Sequence, residues 1–287
     1  MEQKDLSKKR YHIHISSKHN WFDLKLKEVW KYRDLILLFT QRSFVLSYKQ
    51  TVLGPLWILI TPLLSSFVYT FLFGTVAGMS TDGIPQILFY LTGNAIWAFF
   101  SGALGGNSNV FRENAGVFGK VYFPRMTVPI SKIFSGAIQF LIQMILAIIL
   151  LVYYIIQGEV SPNWWAWILI PFILLHLGVM GMSLGLIISS FTTKYRDLTV
   201  FIGYGISLLM YATPVVYPLS QLEDGFIKNL LLINPITSPV ELFRYAFLGK
   251  GTIIPGCYIF SIVFTIIIAV VSIMLFNHTE KTFMDTV

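Results

Sequence analysis

The chain has 287 residues, 55% of them hydrophobic and only 12% charged, and it carries a formal net charge of +7. That composition is too apolar for an ordinary soluble domain. One cysteine, Cys257, excludes an internal disulfide and any cysteine-based metal site.

Residues 1–22 read as a polar, basic cytoplasmic tail with no apolar core that would mark a cleavable signal peptide. Its histidines, His12, His14 and His19, lack the partners a designed metal site needs, so they count as tail residues. From Asp23 to about Thr40 the pattern becomes amphipathic. Phe22, Leu26, Val29, Trp30, Ile36 and Leu37 gather near one helical face, with Lys27, Glu28, Lys31 and Asp34 opposite. A basic polar side with Trp on the apolar side suits a helix lying in the inner membrane interface, with Asn20 or Asp23 as its N-cap. Residues 23–49 are therefore expected to form an interface helix and its connector.

Six stretches with no Asp, Glu, Lys or Arg follow, at 50–81, 83–111, 133–158, 160–193, 198–222 and 251–279. A spanning helix needs about 20 mainly apolar residues to cover roughly 30 Å of hydrocarbon. All six are long enough, and no alternation at period two suggests a barrel. The expected fold is an all-α integral membrane domain over 50–279 with six transmembrane helices, followed by a cytoplasmic C-terminus at 280–287. Pro62 lies inside the first span, where a kink is expected.

The link between spans two and three mixes Arg112, Glu113, Lys120 and Arg125 with Val117, Phe118, Val121, Tyr122 and Phe123. Apolar side chains exposed on such a loop imply membrane contact or a docking partner. Trp164, Trp165 and Trp167 mark an interface between spans three and four. The segment 215–255 reads as two short helices, Phe226–Ile233 and 239–247, split by Asn234-Pro235, which makes them candidates for re-entrant or interfacial helices. Glu241 and Arg244, three apart, either pair on one helix face or form a solvated surface pair.

The charge is lopsided. Of 21 Lys and Arg, 18 fall before span one, between spans two and three, between spans four and five, or after span six, against three on the other side. Basic flanks stay cytoplasmic, so both termini are expected inside a plasma membrane crossed several times. The excess charge is a topology signal rather than a sign of nucleic-acid binding.

Away from the ends of the spans the one histidine is His176, expected to bond a neighbouring helix. Ion-coupled transport needs titrating groups at depth, and an embedded enzyme needs an acid–base pair or a metal, so both are disfavoured. A phosphate-binding Gly-x-x-x-x-Gly-Lys-Ser/Thr loop is missing, so ATP is not expected on this chain. What remains is a passive pore or one subunit of a machine driven by a partner. The basic interface helix and the mixed cytoplasmic link favour the second.

Four patches make the chain recognisable. They are Arg33-Asp34 leading to Tyr48-Lys49-Gln50-Thr51-Val52-Leu53-Gly54-Pro55-Leu56-Trp57; Lys120-Val121-Tyr122-Phe123-Pro124-Arg125; Tyr195-Arg196-Asp197; and Thr213-Pro214-Val215-Val216-Tyr217-Pro218 with Asn234-Pro235 and Glu241-Leu242-Phe243-Arg244. In order and spacing they resemble the membrane subunits of ABC-2-type ABC exporters, most closely the branch that exports lipid-linked O-antigen, capsule or teichoic-acid polysaccharides. The stretch Ala115-Gly116-Val117-Phe118 departs from that pattern, being richer in glycine and aromatics.

The resemblance implies a homodimer with two ATPase subunits below it, which carry the ATP and Mg while this chain carries no cofactor. It implies coupling to the ATPase through Asp23, Lys27, Lys31, Arg33, Asp34, Arg112, Asn114, Phe118, Lys120 and Arg125. It implies an outer gate at Pro214, Tyr217, Pro218, Asn234, Pro235, Glu241 and Arg244, and a path lined by spans one and five. Aromatic faces can bind sugars while letting them slide. Span five offers Phe201, Tyr204, Ser207 and Tyr211 for such a path, and span one Trp57, Ser65, Phe67 and Tyr69. The expected function is that of a permease, with no catalytic residues and no metal, moving a lipid-linked polysaccharide outward amid membrane lipid. An exporter of a drug or other lipid is the rival within this class, and a scaffold or passive channel without ATPase the rival from another.

Overall fold

The computed structural model describes residues 26–193, 195 and 197–286, apart from the side chains of 26, 27 and 281–286. The tail 1–22, Asp23, Lys194 and Arg196 lie outside the described residues, as does the Lys27 side chain. No strand occurs among the described residues. Among the described residues, five helical segments are long and apolar enough to cross a membrane: Gly54–Val76, Gln86–Asn107, Thr127–Ile156, Trp164–Thr192 and Pro255–Glu280.

The amphipathic region forms two pieces, α1 (Leu26–Lys31) and α2 (Arg33–Tyr48), broken at Tyr32. α2 buries Ile36, Phe39 and Thr40. The Thr40 hydroxyl bonds both Ile36 O (2.8 Å) and, across to the third span, Ser131 O (3.3 Å). Leu37, Leu38, Val45 and Leu46 stay exposed. Gln50 then takes a left-handed φ of 66° where the chain turns into span one.

Span one is a 3₁₀ turn, α3 (Trp57–Tyr69) and a closing π-helical stretch, Thr70–Val76. Pro62 sits within α3, and the Ser66 hydroxyl bonds its carbonyl at 2.6 Å. Span two, α4 (Gln86–Asn107), is the hub: 72% of its apolar stretch is buried, against 17% for span one. The link that follows holds two short turns, α5 (Val110–Glu113) and α6 (Ala115–Phe118), before α7 (Thr127–Ile156) forms span three.

Span four, whose main helix is α8 (Ile170–Thr192), crosses span two at close range. A Cβ on Gly185 would lie 2.5 Å from Leu104 O, and one on Gly181 would lie 2.8 Å from Phe100 O. Small residues let two membrane helices approach backbone to backbone. His176 joins span four to span six, α12 (Pro255–Thr286), through the Thr265 hydroxyl at 2.9 Å.

The fifth apolar helix departs from expectation. The charge-free run extends to 222, but α9 (Leu198–Tyr211) has 14 residues. At 1.5 Å per residue that is about 21 Å, short of the roughly 30 Å hydrocarbon thickness. Pro214 ends it, because proline lacks the N–H a continuing helix needs and its ring crowds the preceding turn. Beyond it come α10 (Phe226–Ile233) and α11 (Thr237–Leu248). These two helices fall where the Asn234-Pro235 split places them.

Candidate functional site

Three regions hold the residues singled out by sequence. The first is the basic end, where α2 and the α5–α7 link meet. Phe39 of α2 packs on Phe123 of the link (centroids 5.6 Å apart), so the two expected coupling segments form one surface.

The link's apolar residues were expected at the surface, and that expectation needs correcting. Phe118 is 2% exposed and Phe123 7%. They join Phe39, Val110, Phe111, Val128, Leu186 and Phe276 in a satellite core, where Phe111 stacks on Phe276 at 4.7 Å. Burying several aromatics is strongly favourable, and a link this close to spans four and six finds apolar partners there. Val121 and Tyr122 remain exposed, as do Arg112 and Lys120.

Arg125 is also turned inward, its side chain 11% exposed. It contacts Glu280 at 3.5 Å, donates to the Glu280 carbonyl at 3.0 Å, and lies 5.5 Å from the Phe118 ring. It therefore ties the link to the end of α12. The Asn114 side chain donates to Val110 O at 2.8 Å and closes the local turn. Arg33 and Asp34 are exposed, 4.0 Å apart.

The second region is the outward face of α9. Phe201, Tyr204, Leu208 and Tyr211 recur at helical spacing on that face, and each is more than half exposed. Ser207 sits at its edge with its hydroxyl on Gly203 O at 3.0 Å. On span one the candidates divide. Trp57 and Phe67 are exposed, and Ser65 is half-buried. Tyr69 packs with Phe73 and Tyr90, its hydroxyl 3.8 Å from Met210 Sδ, so it links spans one, two and five.

The third region is the end opposite the basic one. Glu241 and Arg244 form a salt bridge with side chains only 2% and 4% exposed, which excludes the solvated alternative. Glu241 also accepts from the Thr252 backbone N–H at 2.8 Å, and Arg244 donates to Pro214 O at 2.5 Å. The guanidinium lies 4.3 Å from the Phe89 ring centroid of span two. Burial pushes the Glu241 carboxyl up, while Arg244 and the Thr252 amide pull it back. Removing either partner alone strands the other charge, at about 3–5 kcal/mol.

Asn234 donates to Ala212 O at 2.7 Å and to the Thr213 hydroxyl at 3.1 Å, and its own carbonyl accepts from Ile236 N. The Tyr217 hydroxyl donates to Tyr211 O at 2.9 Å, and the Ser261 hydroxyl to Pro235 O at 2.5 Å. Pro218 leads into the short turn Leu219–Gln221, where Ser220 and Gln221 bond Asp82 of the hairpin between spans one and two. The sequence offered no sign of Asp82 in this role. At the exposed start of α10, Lys228 holds the Asp224 carboxyl below its ordinary range.

A family model described as ABC-2 type transporter matches residues 34–248, three quarters of the chain. The chain belongs to the ABC-2 type transporter family. It is 28% identical over 225 residues to the O-antigen export system permease protein RfbA of Myxococcus xanthus, covering 77% of this chain and 83% of that one. Two proteins of the same description from Klebsiella pneumoniae are 29% and 28% identical over 254 residues, covering 88% of this chain and 94% of each relative. As an ABC-2 membrane chain it is a transport component built of apolar helices, five long and one short among the described residues.

Proposed function

We propose that this chain is the permease subunit of an ATP-driven exporter that moves a lipid-linked polysaccharide outward across a bacterial inner membrane. The observation that carries the proposal is the likeness, over 77% to 88% of the chain, to three proteins described as O-antigen export permeases. The exposed aromatic face of α9 supports it, since a neutral stacking surface suits a long polar chain that must slide. A second copy of the chain closes the path opposite that face, and separate ATPase subunits bind the ATP and Mg that drive it.

The ATPase docks on the basic end. The exposed groups there, Arg33, Asp34, Arg112, Lys120, Val121 and Tyr122, combine charge with apolar contact. Phe118 and Arg125 support that surface from within. Both termini face the cytoplasm, because 18 of 21 basic residues fall on that side.

The test is purification of the tagged chain from its native membrane. An ATPase recovered in stoichiometric amount, with hydrolysis stimulated by the permease, is the expected result. A chain recovered without one supports a scaffold or passive channel instead. Stimulation by a drug or simple lipid but not by a lipid-linked glycan favours the rival exporter.

A further inference from the structure

After Tyr211 the fifth span stops being helical, yet its backbone remains inside the protein. Thr213, Val215 and Val216 are 0%, 1% and 2% exposed. Irregular backbone at such depth persists only where protein groups satisfy its carbonyls. Two side chains from the α10–α11 segment supply that. Asn234 donates to Ala212 O at 2.7 Å. Arg244 uses one nitrogen, Nη2, for both Pro214 O (2.5 Å) and Val215 O (3.5 Å), while Nη1 bonds Glu241.

Val215 O is held from its other side as well. It rests against Gly93 of span two, where a Cβ would approach it to 2.7 Å. The Phe89 ring covers the guanidinium, and the Thr252 amide fixes Glu241. Arg244 is thus oriented by Glu241 and the Phe89 ring, and it spends its other donors on the carbonyls of Pro214 and Val215.

We infer that Arg244 is a positioning residue that clamps the broken end of the fifth span against span two and thereby sets the direction of α9's aromatic face. Glu241 holds the clamp in place, and the ion pair serves the carbonyl contacts. The consequence for transport rests on the proposed path along that face; the clamp itself does not.

The test uses the full complex in membranes, with Cys257→Ser and Val216→Cys introduced and an impermeant thiol reagent as probe. Position 216 should be protected in that background. With Arg244→Gln it should label about tenfold faster as the segment opens locally, and long-glycan export should fall while the ATPase still co-purifies. The exchanged pair, Glu241→Arg with Arg244→Glu, restores opposite charges but not the donors to Pro214 and Val215. It should stay labelled and defective. Should Arg244→Gln not assemble, Gly93→Ala displaces Val215 O without touching a charge and should likewise speed labelling. Continued protection of position 216 in Arg244→Gln or Gly93→Ala overturns the clamp, as does restored protection in the exchanged pair. Rapid labelling with normal export of every glycan length upholds the clamp and overturns the path reading.

Discussion

Phe118 and Tyr122 belong to the same charged loop, yet one is 2% exposed and the other 82%. The difference predicts opposite phenotypes. Phe118→Ala should lower stability by about 3–5 kcal/mol, because it empties a site in a packed aromatic cluster. Tyr122→Ala should leave the thermal midpoint unchanged and weaken stimulation of the partner ATPase. Thermal unfolding in detergent, paired with an ATPase assay, separates them; equal destabilisation by both would contradict the assignment. Gln50 offers a second test at this scale. Its φ of 66° is unfavourable for a side chain with a Cβ, and it sits where the interface helix joins span one. Gln50→Gly should raise stability by about 1 kcal/mol, and Gln50→Val should lower it. Loop composition could not reveal which aromatics turn inward. The partners that decide it, Phe39, Leu186 and Phe276, come from three distant helices.

Among the elements, α9 and the segment after it show best what sequence order does and does not carry. Pro214 is visible as a helix breaker, and the Asn234-Pro235 split places α10 and α11. A charge-free run cannot show where helix gives way to buried irregular backbone, because charge reports polarity and not hydrogen bonding. Nor could the spacing of Glu241 and Arg244 tell a surface pair from a buried one. The deciding partners, Pro214 O and Thr252 N, lie elsewhere in the chain. The helices α10 and α11 also differ in burial. α11 is mostly buried, with Phe247 stacked on Trp167 at 5.3 Å, whereas α10 leaves Phe226, Ile227, Leu230 and Ile233 exposed. An element with few buried contacts opens at lower cost. A gate at this end should therefore move α10 and leave α11 in place. On the path itself, replacing Tyr204 and Tyr211 together by Ala should reduce export of long glycans while assembly with the ATPase persists. Normal export in that variant, with damage instead from lipid-facing changes in α12, would remove α9 from the path.

For the molecule as a whole, the charge asymmetry makes a topology claim that the helices alone do not. With Cys257 replaced, a cysteine at position 228 should react with an impermeant thiol reagent from outside intact cells, and one at position 120 should not. The reverse pattern would invert the orientation. Composition was enough to identify a membrane protein, and the joint spacing of four motif patches enough to point to its family. The measurement that bears most directly on the exporter reading is the location of the lipid-linked glycan after this protein is depleted. The account predicts that the finished polymer accumulates on the cytoplasmic side, inaccessible to a surface lectin, and returns to the surface when the intact chain is restored. Undiminished surface glycan in depleted cells, with none accumulating inside, would contradict it.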